Sequence, residues 1–475
     1  MVGSDQRGLS RQLQPCGAIC EFMFAVLLSV ALFLIADDPA ADAVTGTAGS
    51  TLEREAAEAF RRTEYDKVLS LWESRAPDTA PSRTLLRIVF KSQLKLGRTE
   101  NAIALYDQLV SGDQPDDLAL LRPLALSILT THVRDPKEYI RIAAYTALAE
   151  LGLPETQSIL EDGLLDPSPL VRARAVEGLG HAGLASKSGP LRRALQDDML
   201  PVRIAAMNAL SESGVADIMP RMIEVARTED GPEGVFAYAA LYKLGRQDML
   251  SDITGAATLP DPETRMAALG VLGKLKRPSS LAIISQGVYD PEASVRAFAA
   301  GALGDFGQPG AVAPLTHALG DEHARVRGIA AVSLGRLGIR DNRPLLQALT
   351  RDASLQVRAN AVEGLLRLGD SSAMLVATDL ARHPDPSIRA ATAQALGAST
   401  DKQAVTMLQM LLQDQQPQPR LFAAKALGKT PAPVFPQLKK GLHDSDSAVR
   451  ITAAGSLLQQ IDRQIKSTTR RGQKG

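Results

Sequence analysis

The sequence predicts an all-α protein in which pairs of helices stack into a solenoid, an α-α superhelix. The 475 residues are 45% hydrophobic but only 4% aromatic, a composition typical of closely packed helices. One short phrase also recurs every 31 residues through most of the chain, and a fixed period of this size indicates a repeat architecture. The formal net charge is zero. It disfavours a nucleic-acid binder, because such proteins need a basic surface.

The N-terminus carries the pattern of an export signal. Residues 22–36 are apolar apart from one serine, with Arg7 and Arg11 before them and acidic residues after them, which places the rest of the chain outside the cytoplasm. The length lies between a signal-peptide core and a membrane span. We therefore predict a signal peptide cleaved after Ala43, within an Ala-Asp-Ala pattern, or an uncleaved anchor over the first 43 residues, followed by a linker over 44–52.

Residues 53–119 predict a second kind of helical segment. The stretch from Leu96-Gly97-Arg98 to Ala102 and Tyr106 has the spacing of a tetratricopeptide repeat. The segment resembles about one and a half such units. This resemblance implies a helical cap over the first pair of the solenoid, which an open solenoid requires. The alternative is an independent peptide-binding module.

The recurring phrase is Asp, four variable residues, Val or Ile, then Arg and a run of Ala and Leu that ends in Gly. It reads DPEASVRAFAAGALGDFG from Asp290 and DEHARVRGIAAVSLGRLG from Asp321. Its arginines follow a 31-residue period, except that the last step is one residue shorter and Gly234 takes one place. We predict eleven repeats over residues 120–461, and their ladder arginines are Arg141, Arg172, Arg203, Arg265, Arg296, Arg327, Arg358, Arg389, Arg420 and Arg450.

Each repeat predicts two helices. The second begins near the Arg and buries one apolar face, as Ala299, Leu303 and Phe306 illustrate, and it ends at a Gly such as Gly307. The Asp lies in the turn between the helices, where we expect it to cap the second helix. We also expect each Asp to pair with the Arg of its own or the next repeat, as a structural ladder along the inner edge.

The phrase resembles the HEAT-repeat superfamily, in the short form of phycobilisome lyase-like repeats. This resemblance implies helical pairs stacked in a right-handed superhelix. Some members are enzymes: bilin lyases act on pigment, and deoxyhypusine hydroxylase holds two irons with paired His-Glu dipeptides. This sequence contains no His-Glu dipeptide. An enzyme or enzyme-maturation factor of the lyase-like class is the alternative function.

The motifs of common catalytic sites are absent from the sequence, which contains neither H-E-x-x-H nor a phosphate-binding G-x-x-x-x-G-K-[ST]. Both cysteines, Cys16 and Cys20, precede the repeats, so the repeats have no thiolate metal site. Asp321, Glu322 and His323 form the single cluster of acids and histidine, which we expect to be a solvated turn. We predict no catalytic residue, no metal and no cofactor.

A binding role remains. The position nine residues after each ladder arginine is predicted to be exposed on the concave face, with Glu150 and Glu212 early and basic residues later. The candidate binding residues are Lys243, Lys274, Arg336 and Arg367. We predict a non-catalytic scaffold or adaptor, exported or membrane-anchored, that binds a protein along this face and orients it by charge. The alternatives are an ordinary solvated ridge or, if the N-terminal segment is not an export signal, a cytoplasmic regulatory or nucleic-acid scaffold.

The partners predicted are a protein and, if residues 22–36 are retained, a membrane; no nucleic acid and no metal are predicted. The end of the chain, residues 462–475, carries five basic side chains against one acidic one. We expect it to be a disordered, solvated tail, and the alternative is a weak contact with an anionic surface.

Overall fold

The computed structural model describes residues 51–76, 80–110, 116–431 and 433–472. Within these ranges the regular secondary structure is helical and contains no strand, which confirms the predicted all-α class. The apolar segment 22–36, Ala43 and both cysteines lie outside the described residues. In the described part, no helix is both long enough and apolar enough to cross a membrane.

The chain divides into two units, residues 1–101 and 102–475. In the first unit, α1 (Thr51–Arg61), α2 (Tyr65–Glu73) and α3 (Arg83–Lys95) pack against one another. The boundary falls inside the next helix, α4 (Thr99–Leu109). The tetratricopeptide-like interpretation of this segment stays a prediction.

Eleven helical pairs make up the second unit. The first helices of the pairs are α5 (Leu118–His132), α7 (Gln157–Gly163), α9 (Gly189–Arg193), α11 (Met219–Thr228), α13 (Met249–Ala256), α15 (Leu281–Gln286), α17 (Val312–Ala318), α19 (Arg343–Leu349), α21 (Ala373–Leu380), α23 (Lys402–Leu411) and α25 (Phe435–Gly441). The second helices are α6 (Glu138–Leu151), α8 (Pro169–His181), α10 (Leu200–Glu212), α12 (Pro232–Lys243), α14 (Pro262–Leu275), α16 (Ala293–Phe306), α18 (Ala324–Arg336), α20 (Leu355–Arg367), α22 (Pro386–Leu396), α24 (Pro417–Gly428) and α26 (Ser447–Gly472).

The start of each second helix corrects one prediction. Only Asp261 and Asp385 occupy the N-cap, where their carboxylates accept the N–H of Thr264 and Ser387. In eight other repeats the turn Asp instead accepts the N–H of the residue two positions later, and the helix begins further on. These are Asp135, Asp166, Asp197, Asp290, Asp321, Asp352, Asp414 and Asp444. Seven of these carboxylates, all except that of Asp135, also pair with the arginine of the preceding repeat, so they close the turn from outside the helix.

Consecutive second helices approach closely because small residues meet between them. The residue eight positions after the ladder arginine is often Gly, and it faces the residue six positions after the arginine of the next repeat. A Cβ built on Gly335 would lie 2.5 Å from the Cα of Gly364, and one built on Gly304 would lie 2.6 Å from the Oγ of Ser333. The same close contact occurs at Gly180, Gly273, Gly397 and Gly428. Since real side chains do not pack at these distances, glycine sets the spacing of the helices.

The row of second helices closes on itself. Each second helix packs against the next, and the last of them, α26, packs against both helices of the first repeat, α5 and α6. A Cβ on Gly455 of α26 would lie 3.1 Å from the Cβ of Ala147 in α6. The second helices of the 102–475 unit therefore form a closed ring of eleven. This closure was not predicted from the sequence, which we interpreted as an open superhelix.

We call the contact of α26 with α5 and α6 the seam. Ion pairs reinforce this contact. Arg122 of α5 bridges Asp462 of α26 at 3.0 Å and Glu155 at 2.6 Å, with the Arg122 and Asp462 side chains only about a fifth exposed. Lys425 of α24 reaches Glu150 of α6 at 2.7 Å. The seam is thus held by apolar packing and by charges from both ends of the repeat array.

The seam also corrects the predicted disordered tail. Residues 462–472 continue α26. Asp462 is held by Arg122, and the guanidinium of Arg463 donates to the carbonyl oxygens of Gly428 and Thr430 at the end of α24. Because Arg463 satisfies carbonyls that the end of a helix leaves unpaired, the basic charge here has a structural role.

The closed seam predicts that a disulfide can join the two ends of the repeat array. With Cys16 and Cys20 changed to Ser, the pair Ala147→Cys and Gly455→Cys should form an intramolecular disulfide on mild oxidation, since the Cβ separation of 3.1 Å is within a few tenths of an ångström of disulfide geometry. The altered mobility on non-reducing gels reports the bond. The matched pair Ala147→Cys and Gly301→Cys should stay reduced. Failure of the first pair to oxidise contradicts a closed ring.

The packing of second helices predicts opposite effects for two Gly→Ala changes. Gly335→Ala should lower the free energy of unfolding by about 1–3 kcal/mol, because its methyl group has no room beside Gly364. Gly301→Ala should raise it by about 0.5–1 kcal/mol, since its Cβ would make ordinary contact with Ile329 at 3.7 Å and alanine favours the helix. Urea titrations of both variants measure the two changes; effects of equal sign would show that glycine does not set the spacing.

Candidate functional site

Eight of the ten ladder arginines join two consecutive turns. In repeat 6, the Nε and Nη2 of Arg296 donate to the two carboxylate oxygens of Asp321 in the next turn, at 2.7 and 3.1 Å. Its Nη1 donates to the carbonyl oxygens of Asp290 and Pro291 in its own turn, at 3.0 and 3.1 Å. The planar guanidinium suits this arrangement because it presents donors in a fixed fork. One side chain therefore fixes the position of one repeat relative to the next.

Eight arginines make this two-pronged bond, always to the following repeat. The pairs are Arg141–Asp166, Arg172–Asp197, Arg203–Glu233, Arg265–Asp290, Arg296–Asp321, Arg327–Asp352, Arg389–Asp414 and Arg420–Asp444. The side chains are mostly buried, with 18% of Arg327 and 10% of Asp352 exposed. The hydrogen bonds from Arg327 hold the pKa of Asp352 below its ordinary value, against the opposing effect of burial. Since every cation here has its own anion, the ladder presents little free charge.

The ladder departs from this pattern at the remaining positions. Arg358 donates to the carbonyl oxygen of Asp352 in its own turn, and the residue 25 positions later is His383 in place of an acid. Arg450, in the last repeat, bonds the carbonyls of its own turn and the hydroxyl of Ser447. Gly234 carries no side chain, and Leu259 stands 25 positions later. The ladder is therefore interrupted at repeats 4 and 8.

Two of the four candidate binding residues contact the same position of the preceding repeat. Their positions come into direct contact from repeat to repeat: Lys243 pairs with Glu212 at 2.8 Å, and Arg336 pairs with Asp305 at 3.1 Å. Each pair joins residues 31 positions apart, so the row continues across adjacent second helices. We call the surface that carries this row the inner face.

The pairing between Lys425 and Glu150 shows that the inner face is concave at the seam. These residues lie on α24 and α6, which flank α26 on either side. Neighbouring helices lie about 8–10 Å apart, so on a flat layer α24 and α6 would be too far apart for these side chains to meet. The ion pair therefore requires the two helices to converge over the inner face.

The four candidates differ in how much free charge they offer. Lys243 and Arg336 are paired across repeats, and Arg367 pairs with Glu363 of its own helix at 2.8 Å. Among the described residues, no carboxylate lies within ion-pair distance of the exposed Lys274. The predicted basic stretch is thus a row of both basic and acidic side chains, in which Lys243 and Arg336 form ion pairs with acidic neighbours. Among the four candidates, the ammonium group of Lys274 is left to contact solvent or a ligand.

The inner face also exposes apolar side chains that the sequence reasoning missed. The Phe298 ring, 47% exposed, covers Gly270 of the previous repeat, where a Cβ would lie 2.9 Å from the ring. Ile329 lies over Gly301 in the same way, one repeat on. The available signal was the position two residues after the ladder arginine, which is Phe or Ile in four of the eleven repeats. Together these residues form a shallow apolar floor beside Lys274 and Arg336.

The cluster of Asp321, Glu322 and His323 belongs to the ladder. Arg296 donates to Asp321, and its Nη2 also lies 3.3 Å from Glu322 and 3.2 Å from His323. Over the residues that the structure describes, no group of three or more His, Cys, Asp or Glu side chains is arranged to hold a metal ion.

The repeat geometry agrees with the sequence comparison. A family model for HEAT repeats matches residues 117–180, 160–236, 282–344 and 342–419, together more than half of the chain. The chain belongs to the HEAT-repeat family. The resemblance seen in the sequence is thereby confirmed. No protein of curated function matches the chain.

Three solved structures are similar to this HEAT-repeat chain. YibA of E. coli is 19% identical over 53% of this chain and 95% of its own, with a TM-score of 0.35. The complex of CpcE and CpcF of phycocyanin lyase from Nostoc sp. PCC7120 is 18% identical over 58% and 93%, with a TM-score of 0.33. Human deoxyhypusine hydroxylase in complex with glycerol is 18% identical over 58% and 96%, with a TM-score of 0.26. Similarity at this level concerns the fold alone.

The interrupted ladder supplies a matched pair of variants. Arg327→Met should lower the free energy of unfolding by about 3 kcal/mol, because it leaves Asp352 buried without its cation. Arg358→Met should cost only about 1 kcal/mol, since it loses a carbonyl hydrogen bond and strands no carboxylate. Urea titration followed by circular dichroism measures both. Equal losses would contradict the role assigned to the two-pronged bond.

Proposed function

We propose that this HEAT-repeat protein is a non-catalytic scaffold that binds a protein partner along the inner face. The observation that carries the proposal is the row of mostly charged side chains on successive second helices, which are in contact at Lys243–Glu212 and Arg336–Asp305. A row of this kind can contact an extended polypeptide segment at several points along its length. The apolar floor of Phe298 and Ile329 lies beside it.

The chemistry of the row and floor fits protein recognition. Protein interfaces combine an apolar centre with a polar rim, and aromatic side chains often supply most of the binding energy. Phe298 is such an aromatic group: its ring packs over Gly270 and its side chain is about half exposed. Lys274 and Arg336 supply the rim. Because no carboxylate in the described part of the chain lies within ion-pair distance of Lys274, we propose that the partner brings a carboxylate to this region.

The ladder supports binding by making the surface rigid. Eight two-pronged bonds hold the turns at fixed spacing, and the seam removes free ends from the ring of second helices. A surface that is already ordered loses little conformational entropy when a partner binds. The affinity of the inner face then depends on its contacts with the partner.

We also propose that the repeats act outside the cytoplasm, either released by cleavage after Ala43 or tethered by residues 22–36. This proposal rests on the basic residues before the apolar segment and the acidic residues after it.

A cross-linking experiment tests the binding face and the location together. Lys274→Cys, in a chain with Cys16→Ser and Cys20→Ser, is labelled on native cells with a membrane-impermeant photo-crosslinker. We expect one cross-linked protein species on intact cells. Adding Arg336→Glu and Arg367→Glu should lower its yield at least tenfold, because the reversed charges repel an acidic partner.

Two controls separate the possible failures. Leu375→Cys, 74% exposed on the first helix α21, should give no such species. Arg134→Glu and Arg192→Glu, which also break ion pairs but on other surfaces, should leave the yield unchanged. A species that appears only after lysis contradicts the location. Yields that are equal at Lys274 and Leu375, or insensitive to charge reversal, contradict the binding face.

A further inference from the structure

The fourth repeat lacks both halves of the ladder bond. Gly234 stands where the other repeats have an arginine, and Leu259 stands 25 positions later, where eight junctions have an acceptor carboxylate nearby. The neighbouring ladder is rerouted, since Arg203 pairs with Glu233, at the start of α12, through both of its oxygens. The junction between repeats 4 and 5 is therefore held without a ladder arginine.

An open cleft of about 270 Å³ lies at this junction. It is lined from repeat 4 by the turn at Asp230 and by Tyr238, and from repeat 5 by Asp252, Ala256 and Leu259. At the regular junctions, the space between consecutive turns holds an arginine side chain, as Arg296 shows between Asp290 and Asp321. The cleft therefore lies where most other repeats place an arginine side chain and repeat 4 has none.

The chain cannot fill the cleft from position 234. The carbonyl oxygen of Glu229 lies against Gly234, at the place where a Cβ would be. Glycine is therefore required here, and no substitution at this position can restore the ladder. A cation for this cleft has to come from another molecule.

The lining of the cleft has the chemistry that binds a guanidinium. Tyr238 lies between the repeats with its hydroxyl donating to the carbonyl of Ala226 at 3.0 Å. Asp230 and Asp252 line the cleft together with Tyr238. Burial raises the pKa of Tyr238, and the negative charges of these two carboxylates raise it further. Within the described residues, neither carboxylate has an ion-pair partner. The nearby Arg203 is already paired with Glu233.

We propose that this cleft binds the guanidinium of an arginine side chain presented by the protein partner. The arginine takes the place that a ladder arginine has at the regular junctions: its planar head pairs with Asp230 and Asp252 and lies by the ring of Tyr238, and its alkyl stem packs on Leu259 and Ala256. Carboxylates with an aromatic ring are a common site for this group, and the planar fork distinguishes arginine from lysine. The proposal rests on the proposed function, because it assumes that the partner is a protein.

The test uses the peptide Ac-Gly-Arg-Gly-amide, titrated into the full chain and followed by calorimetry. One guanidinium binds weakly, and we expect a Kd on the order of 1 mM, near −4 kcal/mol. The lysine peptide should bind at least fivefold more weakly. Asp230→Asn with Asp252→Asn should lower the affinity for the arginine peptide at least tenfold. Leu259→Asp, which adds a carboxylate beside the cleft, should raise it several-fold.

Asp341→Asn with Asp379→Asn is the matched control, because it removes two exposed carboxylates of other repeats. Its affinity should equal that of the unchanged chain. Equal binding of the arginine and lysine peptides, or equal losses in the two double variants, would mean a general attraction to acidic surface and would overturn the inference. If the unchanged chain does not bind the arginine peptide although cross-linking at Lys274 is observed, this inference is overturned and the proposed function is not.

Discussion

The two-pronged bond from an arginine to the next turn is the interaction on which the rest of the structure depends. It joins a guanidinium, two carbonyl oxygens of its own turn and a carboxylate 24, 25 or 30 residues further along the chain. Because the carboxylate also closes its own turn, each bond orders two turns at once. The helices between the turns are short, and several have fewer than eight residues, so they gain order mainly from packing on their neighbours.

Small side chains provide the second constraint. Glycine eight residues after the ladder arginine lets consecutive second helices approach at the distance the ladder requires. A bond between turns fixes one edge of the layer, and close helix contact fixes its curvature. Curvature that is repeated without change brings the last repeat back to the first. The seam then gives α26 and α6 the neighbours that the end repeats of an open array lack.

The interruptions of the ladder show how a repeat protein can differ locally without losing its fold. Repeat 8 keeps its arginine and loses the acceptor, whereas repeat 4 lacks both. In the preceding bond, Arg203 of repeat 3 pairs with Glu233. At repeat 4 the result is a cleft lined by carboxylates without ion-pair partners. At the inner face, Phe298 exposes an aromatic ring. The surface features that distinguish one repeat from another in this chain lie at positions where the residue differs from the repeat pattern.

The amino-acid sequence by itself determined the class of fold, the number and period of the repeats, the ladder arginines and the exposed row. Each of these depends on local periodicity, which a 31-residue phrase displays without knowledge of other contacts. The tertiary structure decided that Asp166 and its counterparts close turns and receive the previous arginine, that Asp462 and Arg463 belong to a helix, and that the ring closes. These features depend on residues far apart in the chain, such as Arg122 and Asp462. The small rotation between consecutive repeats adds up over eleven units and brings such residues together. The sequence of a single repeat does not reveal this total rotation.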